Sequence, residues 1–212
     1  MKIERIQFIT HATPRYTVLE GARMALEGGC RWIQLRMKDA SDEEVAATAQ
    51  TLGEWCRRYD ATMLLDDRVN LCLQTGADGV HLGKTDMPVD EARKLTGKKF
   101  IIGGTANTAD DIRRIARQGG DYIGCGPFRF TTTKKNLSPI LGTEGYRRLC
   151  AMMKAGNIDL PLIAIGGIVA GDIDELMQTG IHGIAVSGAI LGSDNPGKEM
   201  EHIINLISKY EN

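Results

Sequence analysis

The ten residues at 126–135 read GPFRFTTTKK, so that three hydroxyls and two lysine ammoniums follow a Gly-Pro turn. Such groups make a poor core segment, but their donors suit anionic oxygens, and phosphate is the ligand their chemistry points to. A solvated loop is the alternative, and the surrounding residues must decide between the two.

Other chemically equipped sets lie upstream and downstream. Gln34, Arg36 and Lys38 alternate, so a strand extension projects all three to one side. Asp66 and Asp67 are adjacent, and the stretch HLGKTD at 81–86 adds His81, Lys84 and Asp86. If these stretches end neighbouring strands, which lie about 4.8 Å apart, Asp67 and Asp86 could share one divalent ion, with phosphate oxygens and waters completing an octahedron. Ligands that are all oxygen favour magnesium over zinc. A helix cap accounts for either aspartate taken alone, and His81 reads as a packed or supporting histidine rather than a ligand. Thr105, after Gly104, offers a hydroxyl to phosphate or to a helix cap. Gly166-Gly167 and Val186-Ser187-Gly188 read either as turns that bring backbone N–H groups to a phosphate or as plain tight turns.

These sets need elements to hold them. Apolar runs of strand length at 6–9, 32–35, 62–65, 79–82, 100–103, 122–125, 162–165 and 183–186 alternate with amphipathic stretches. The spacing predicts helices over 16–27, from 41, over 69–75, from 88, over 108–118, from 142 or 143, over 172–178 and over 197–210. Ser41 with Glu44, and Thr108 with Asp111, have capping-box spacing. Eight strand-helix units without a linker predict a single domain over 1–212, a (β/α)8 TIM barrel with its active site at the C-terminal face of the strands. An open doubly wound sheet is the alternative, but the turn after the first strand reads THATPRY, without the G-x-G-x-x-G pattern. All the candidate sets follow strands. They therefore meet on one face of the barrel, with cations and carboxylates after strands two to four and neutral donors after strands six to eight.

Composition narrows the partners. A formal net charge of -1 leaves no global basic field for nucleic acid or anionic lipid, so an anion site has to be local. No segment approaches the roughly 18 apolar residues needed to span a bilayer, which makes a soluble cytoplasmic protein the expectation. The five cysteines are odd in number and widely spaced, a pattern of packed thiols rather than disulfides or a zinc site.

In order, QLRMK, LDD, HLGKTD, GGTAN, GPFRFTTTKK, IGGI and VSGAI are similar to the motifs of the thiamine phosphate synthase family, and the resemblance covers essentially the whole chain. It implies a (β/α)8 transferase that joins 4-amino-2-methyl-5-hydroxymethylpyrimidine pyrophosphate to 4-methyl-5-(2-hydroxyethyl)thiazole phosphate. Thiamine phosphate and pyrophosphate would be the products and Mg2+ the cofactor. By position, Gln34, Leu35, Arg36, Met37, Lys38, Asp66 and Lys134 would contact the pyrimidine pyrophosphate, with Arg36, Lys38 and Lys134 on its phosphates. Asp67 and Asp86 would hold magnesium, and Thr105 takes the place of a family serine near the pyrimidine and pyrophosphate. Thr131 and Thr133, with Thr132 between them, Gly167, Val186 and Ser187 would hold the thiazole phosphate.

The chain departs from the family pattern at four places. Asp66 stands for a usual asparagine, Lys84 for a usual glutamine, Phe130 for a usual proline and Gly188 for a usual alanine. Either Asp66 and Lys84 pair across neighbouring strand ends, or Asp66 joins the metal shell while Lys84 contacts pyrophosphate. The related thiazole tautomerases tend to place histidine where this chain has Pro127. Arg36, Lys38, Asp67, Asp86 and the T-x-T-K run favour the synthase over that enzyme. A barrel that binds thiamine precursors without turnover is the non-enzymatic alternative.

Overall fold

The short apolar strands pair in parallel with their neighbours in chain order, and the eighth returns to the first, closing a barrel. The computed structural model describes residues 3–130 and 139–210. Its strands are β1 (Ile6–Ile9), β2 (Trp32–Leu35), β3 (Thr62–Asp66), β4 (Gly79–Leu82), β5 (Ile101–Ala106), β6 (Tyr122–Cys125), β7 (Leu162–Ile165) and β8 (Gly183–Val186). Between and after them run α1 (Val18–Glu27), α2 (Asp42–Arg58), α3 (Val69–Thr75), α4 (Val89–Thr96), α5 (Ala109–Arg117), α6 (Gly142–Ala155), α7 (Ile173–Met177), α8 (Gly188–Leu191) and α9 (Pro196–Ile207). Among the described residues, no helix is long and apolar enough to cross a membrane.

Local chemistry sets the helix starts. Ser41 and Thr108 form the expected capping boxes with Glu44 and Asp111. A third box, Thr17 with Glu20, starts α1 two residues later than the periodicity predicts, because Thr17 is extended (ψ 167°) and caps the helix rather than entering it. Strand β5 differs more. It begins at Ile101 and continues through Gly103, Gly104 and Thr105, each paired with β6, so the glycine pair lies inside the strand instead of ending it. Two pieces have no counterpart in the sequence reading: the single-turn α8 and a 3-10 turn at Ala170–Asp172 ahead of α7. Both are too short for periodicity to show.

Alternation along each strand divides the core in two. Phe8, Ile33, Leu35, Leu65, Val80, Leu82, Ile102, Ile123, Ile184 and Val186 belong to the large apolar cluster that the helices cover. Trp32, Leu64, Ile101, Tyr122, Ile163 and Ala185 form a separate cluster in the lumen. There Trp32 meets Tyr122 edge-on, with ring centroids 4.8 Å apart at 76°.

Gly103 makes the Tyr122 position possible, since a Cβ at Gly103 would overlap the tyrosine ring. At Gly188, by contrast, a Cβ meets nothing within 4 Å. Gly103→Ala is therefore expected to cost about 1–3 kcal/mol of unfolding free energy, the usual penalty for overpacking, whereas Gly188→Ala should cost none. Chemical denaturation of both variants checks this, and equal stabilities would refute the packing account.

Candidate active site

At the C-terminal ends of β2 and β3, three side chains converge on one carboxylate. Asp66 is 6% exposed; its Oδ1 accepts from Gln34 Nε2 at 2.6 Å, and its Oδ2 lies 3.6 Å from Arg36 Nε and 3.9 Å from Lys38 Nζ. The alternation of positions 34, 36 and 38 does project all three to one side. Leu35 and Met37 go the other way and pack in the helix-side core, so only their backbones can face a ligand. Asp66 Oδ2 and Gln34 Oε1 are buried with no hydrogen-bond partner among the described residues, the ion-pair distances to Oδ2 being longer than hydrogen bonds.

Asp67, the residue after β3, lies in the left-handed region (φ 67°), a costly conformation for a residue with a side chain and one that concentrates at functional sites. Its Oδ2 lies 3.0 Å from Lys38 Nζ, and its carboxylate shares a hydrogen bond with Asp86, which also accepts from the Gly83 amide at 2.6 Å. Burial, then the Asp67 charge, pushes the Asp66 carboxyl up to about 7, against the pull of Lys38, Arg36 and Gln34. Asp86 is likewise raised, by burial and by its bond to Asp67. Burial also acts upward on Asp67, but the hydrogen bonds from Asp86 and Lys38 outweigh it and hold this carboxyl low.

Two carboxylates in mutual contact repel unless a proton or a cation sits between them. The donor set at Asp67 and Asp86 is all oxygen and fits a hard divalent cation such as magnesium. No group of three or more His, Cys, Asp or Glu side chains is placed to hold a metal among the described residues. The protein would thus offer two ligands and leave the other positions to water and ligand oxygens.

Lys84 does not pair with Asp66. It turns to the other side of β4, where its Nζ is 2.7 Å from Asp111 Oδ2 at the start of α5. Against burial, Lys84, the Asn107 amide and Thr108 hold the Asp111 carboxyl down at about 2. Asp66 instead faces Gln34, Arg36 and Lys38. His81 is buried, with Nδ1 2.8 Å from the Tyr122 hydroxyl and Nε2 2.9 Å from Thr105 Oγ1. Because β5 runs past its glycine pair, Thr105 sits on a strand and is no helix cap.

On the opposite side of the mouth, the Ser187 hydroxyl donates to the Ile9 carbonyl and lies 2.7 Å from His11 Nδ1. Burial and the Arg36 charge lower the His11 pKa. His11 therefore stands between the cationic side and the Ser187 turn. The sequence reading missed it, although a histidine two residues past the first strand was signal enough. Val186 packs its side chain in the helix-side core, and Gly166 and Gly167 take left-handed φ of 105° and 68°.

The connection after β6 is tied at both ends: Phe128 and Arg129 donate to the Ile165 and Gly166 carbonyls, and Leu141 and Gly142 donate back to Pro127 and Phe128. Asn107 donates to the Gly126 carbonyl. Thr131, Thr132, Thr133 and Lys134 lie outside the described residues.

The motifs and geometry coincide with a known group of proteins. The family model described as "Thiamine monophosphate synthase" matches residues 6–190. The chain belongs to the thiamine monophosphate synthase family. A thiamine-phosphate synthase of Phocaeicola vulgatus is 58% identical over 205 residues, covering 97% of this chain and 99% of that protein. One from Bacteroides thetaiotaomicron is 57% identical over 201 residues, 95% of this chain and 96% of the relative. The solved thiamine phosphate pyrophosphorylase from Pyrococcus furiosus superposes with a TM-score of 0.86 at 32% identity, covering 98% and 97% of the two chains. At 13% identity and a TM-score of 0.68, a 3-hexulose-6-phosphate synthase shares the fold alone.

Asp66, whose carboxyl burial pushes up, gives a pH test. An unfolded aspartate loses its proton near about 3.9, whereas folded Asp66 holds it up to about 7. The folded state thus binds the proton more tightly, and this group costs stability progressively as pH rises between those values. Without added metal, Asp66→Asn should gain about 2 kcal/mol more over the parent at pH 8 than at pH 5. Paired melts at the two pH values measure the difference, and a pH-independent effect would refute it.

Proposed function

We infer that the chain works as a thiamine phosphate synthase. It would join 4-amino-2-methyl-5-hydroxymethylpyrimidine pyrophosphate to 4-methyl-5-(2-hydroxyethyl)thiazole phosphate and release pyrophosphate. The observation that carries this reading is the placement of Arg36, Lys38, Asp67 and Asp86 around one end of the barrel mouth, in a chain whose curated relatives match it over nearly its full length.

The chemistry is a substitution at the exocyclic carbon of an electron-rich pyrimidine, which can carry positive charge as pyrophosphate leaves. Negative charge then grows on the leaving group. Arg36 and Lys38 supply fixed cations for it, with Lys134 assigned to the same task, and such preorganised charge lowers the barrier more than it tightens ground-state binding. Asp67 and Asp86 would hold magnesium, which when bound adds positive charge beside the pyrophosphate oxygens. Gln34 Oε1, buried and without a hydrogen-bond partner among the described residues, would be an acceptor for the pyrimidine amine. Thr131, Thr132, Thr133, Gly167, Ser187 and the Val186 backbone are assigned to the thiazole phosphate, so that the thiazole nitrogen is held in line with the carbon it attacks. No protein nucleophile is required.

Supplying both substrates with magnesium should give thiamine phosphate and pyrophosphate in equal amounts, and a folded protein that forms neither rejects the reading. Asp67→Ala should lower turnover by about 100-fold or more while the Kd for thiazole phosphate stays within about twofold. Equal losses in both would mark a structural role for Asp67 instead.

A further inference from the structure

Besides the ion pairs, a chain of polar contacts crosses the lumen. Gln7 on β1 donates from Nε2 to the Tyr122 hydroxyl on β6 at 3.2 Å; that hydroxyl is 2.8 Å from His81 Nδ1 on β4, and His81 Nε2 is 2.9 Å from Thr105 Oγ1 on β5. Gln7, Tyr122 and His81 are all buried. Two glycines give the rings their room: besides Gly103 beneath Tyr122, Gly124 faces His81, whose Cε1 would lie 2.8 Å from an added Cβ. Polar groups at these depths are costly unless bonded, and filling a lumen with branched apolar side chains would avoid the cost.

The proton count gives the chain a direction. A tyrosine hydroxyl has one proton to donate, and burial raises the Tyr122 pKa so that the proton stays on. The bond from Gln7 takes one acceptor site of this oxygen and leaves its proton for His81 Nδ1, where the neutral ring is bare at that nitrogen. A neutral imidazole that accepts at Nδ1 carries its proton at Nε2 and donates it to Thr105 Oγ1. The threonine's own proton is then directed away from His81 and left for another acceptor, and Thr105 makes no other side-chain hydrogen bond among the described residues.

We propose that Gln7, Tyr122 and His81 are positioning residues that fix the Thr105 hydroxyl as a donor to the departing pyrophosphate. The identity of that ligand rests on the synthase reading, whereas the direction of the relay can be read without turnover. Neither Gln7 nor Tyr122 need touch a substrate; both act through the hydroxyl at the end of the chain.

Nitrogen-15 NMR of the histidines in the full chain gives the first test. His81 should be the Nε2–H tautomer in the parent and a tautomer mixture in Tyr122→Phe, which keeps the ring and its contact with Trp32. The Nδ1–H tautomer in the parent would reverse every donor and overturn the proposal, whether or not the protein turns over. Kinetics give the second test. Thr105→Ala should lower kcat about 100-fold and Tyr122→Phe about 10-fold, with the KM for thiazole phosphate moving less than about twofold. The double variant should be no slower than Thr105→Ala alone. Losses that multiply in the double variant, or parent-like kcat in Thr105→Ala, overturn the relay. Should Tyr122→Phe fail to fold, His81→Gln, whose amide offers a donor toward Thr105, should keep more activity than His81→Leu, and equal activities would overturn it. A parent protein that forms no thiamine phosphate fails the synthase reading instead, and the tautomer still decides the relay.

Discussion

A parallel sheet closed on itself gives every strand residue one of two destinations, the lumen or the helix layer, and the placement of chemistry in this protein depends on that division. Leu35 and Val186 each lie next to a candidate site residue, yet both bury their side chains under helices. Gln34, Arg36 and Lys38 take the inward phase of the same alternation and meet at Asp66. A one-residue slip of β2 against β3 would exchange the two sets, sending an arginine into the apolar core. The register that pairs Gln34 with Leu64 is therefore as important to the site as the identity of its residues.

Charge at the mouth is balanced locally, not globally. Two cations and three carboxylates crowd the ends of β2, β3 and β4, and the carboxylates respond differently to one another: Asp67 is held low, while Asp66 and Asp86 are pushed up. Lys38 touches two of them, so its position depends on which are ionised. A divalent cation at Asp67 and Asp86 would compete with Lys38 for the same oxygens and release the lysine toward an anionic ligand. Lys84 contributes nothing to this balance, since its charge is spent on the Asp111 carboxylate that starts α5.

Features encoded within a few residues were legible in the sequence. The capping boxes at Ser41 and Thr108, the eight strands, the closed barrel and the family motifs could all be read from local pattern and order. Apart from the Thr17–Glu20 box, what escaped reading depends on partners distant in sequence. Gly104-Thr105 resembles a turn after the strand until β6 pairs with it; Lys84 has candidate carboxylates on both sides, and only the packed α5 start selects Asp111. His11 follows its strand as the other site residues follow theirs, but its partner is a serine 176 positions away. Thr131, Thr132, Thr133 and Lys134, assigned by motif, stand beyond the described residues.

The lumen also explains why two strands contain glycine where a barrel would ordinarily place a branched side chain. Interior volume is fixed by strand number and stagger, so a tyrosine and a histidine can enter only if opposite positions give up their side chains. Gly103 and Gly124 do so, and each sits against the ring it admits. Glycine in a strand weakens it, and a buried hydroxyl or imidazole must find partners, so apolar filling would give a more stable barrel. The arrangement is intelligible if the strands are stabilised by closure on both sides and the polar chain serves Thr105 at the rim. On that view the glycines of β5 and β6 belong to the site as much as the charges above them, because they decide which rings reach it.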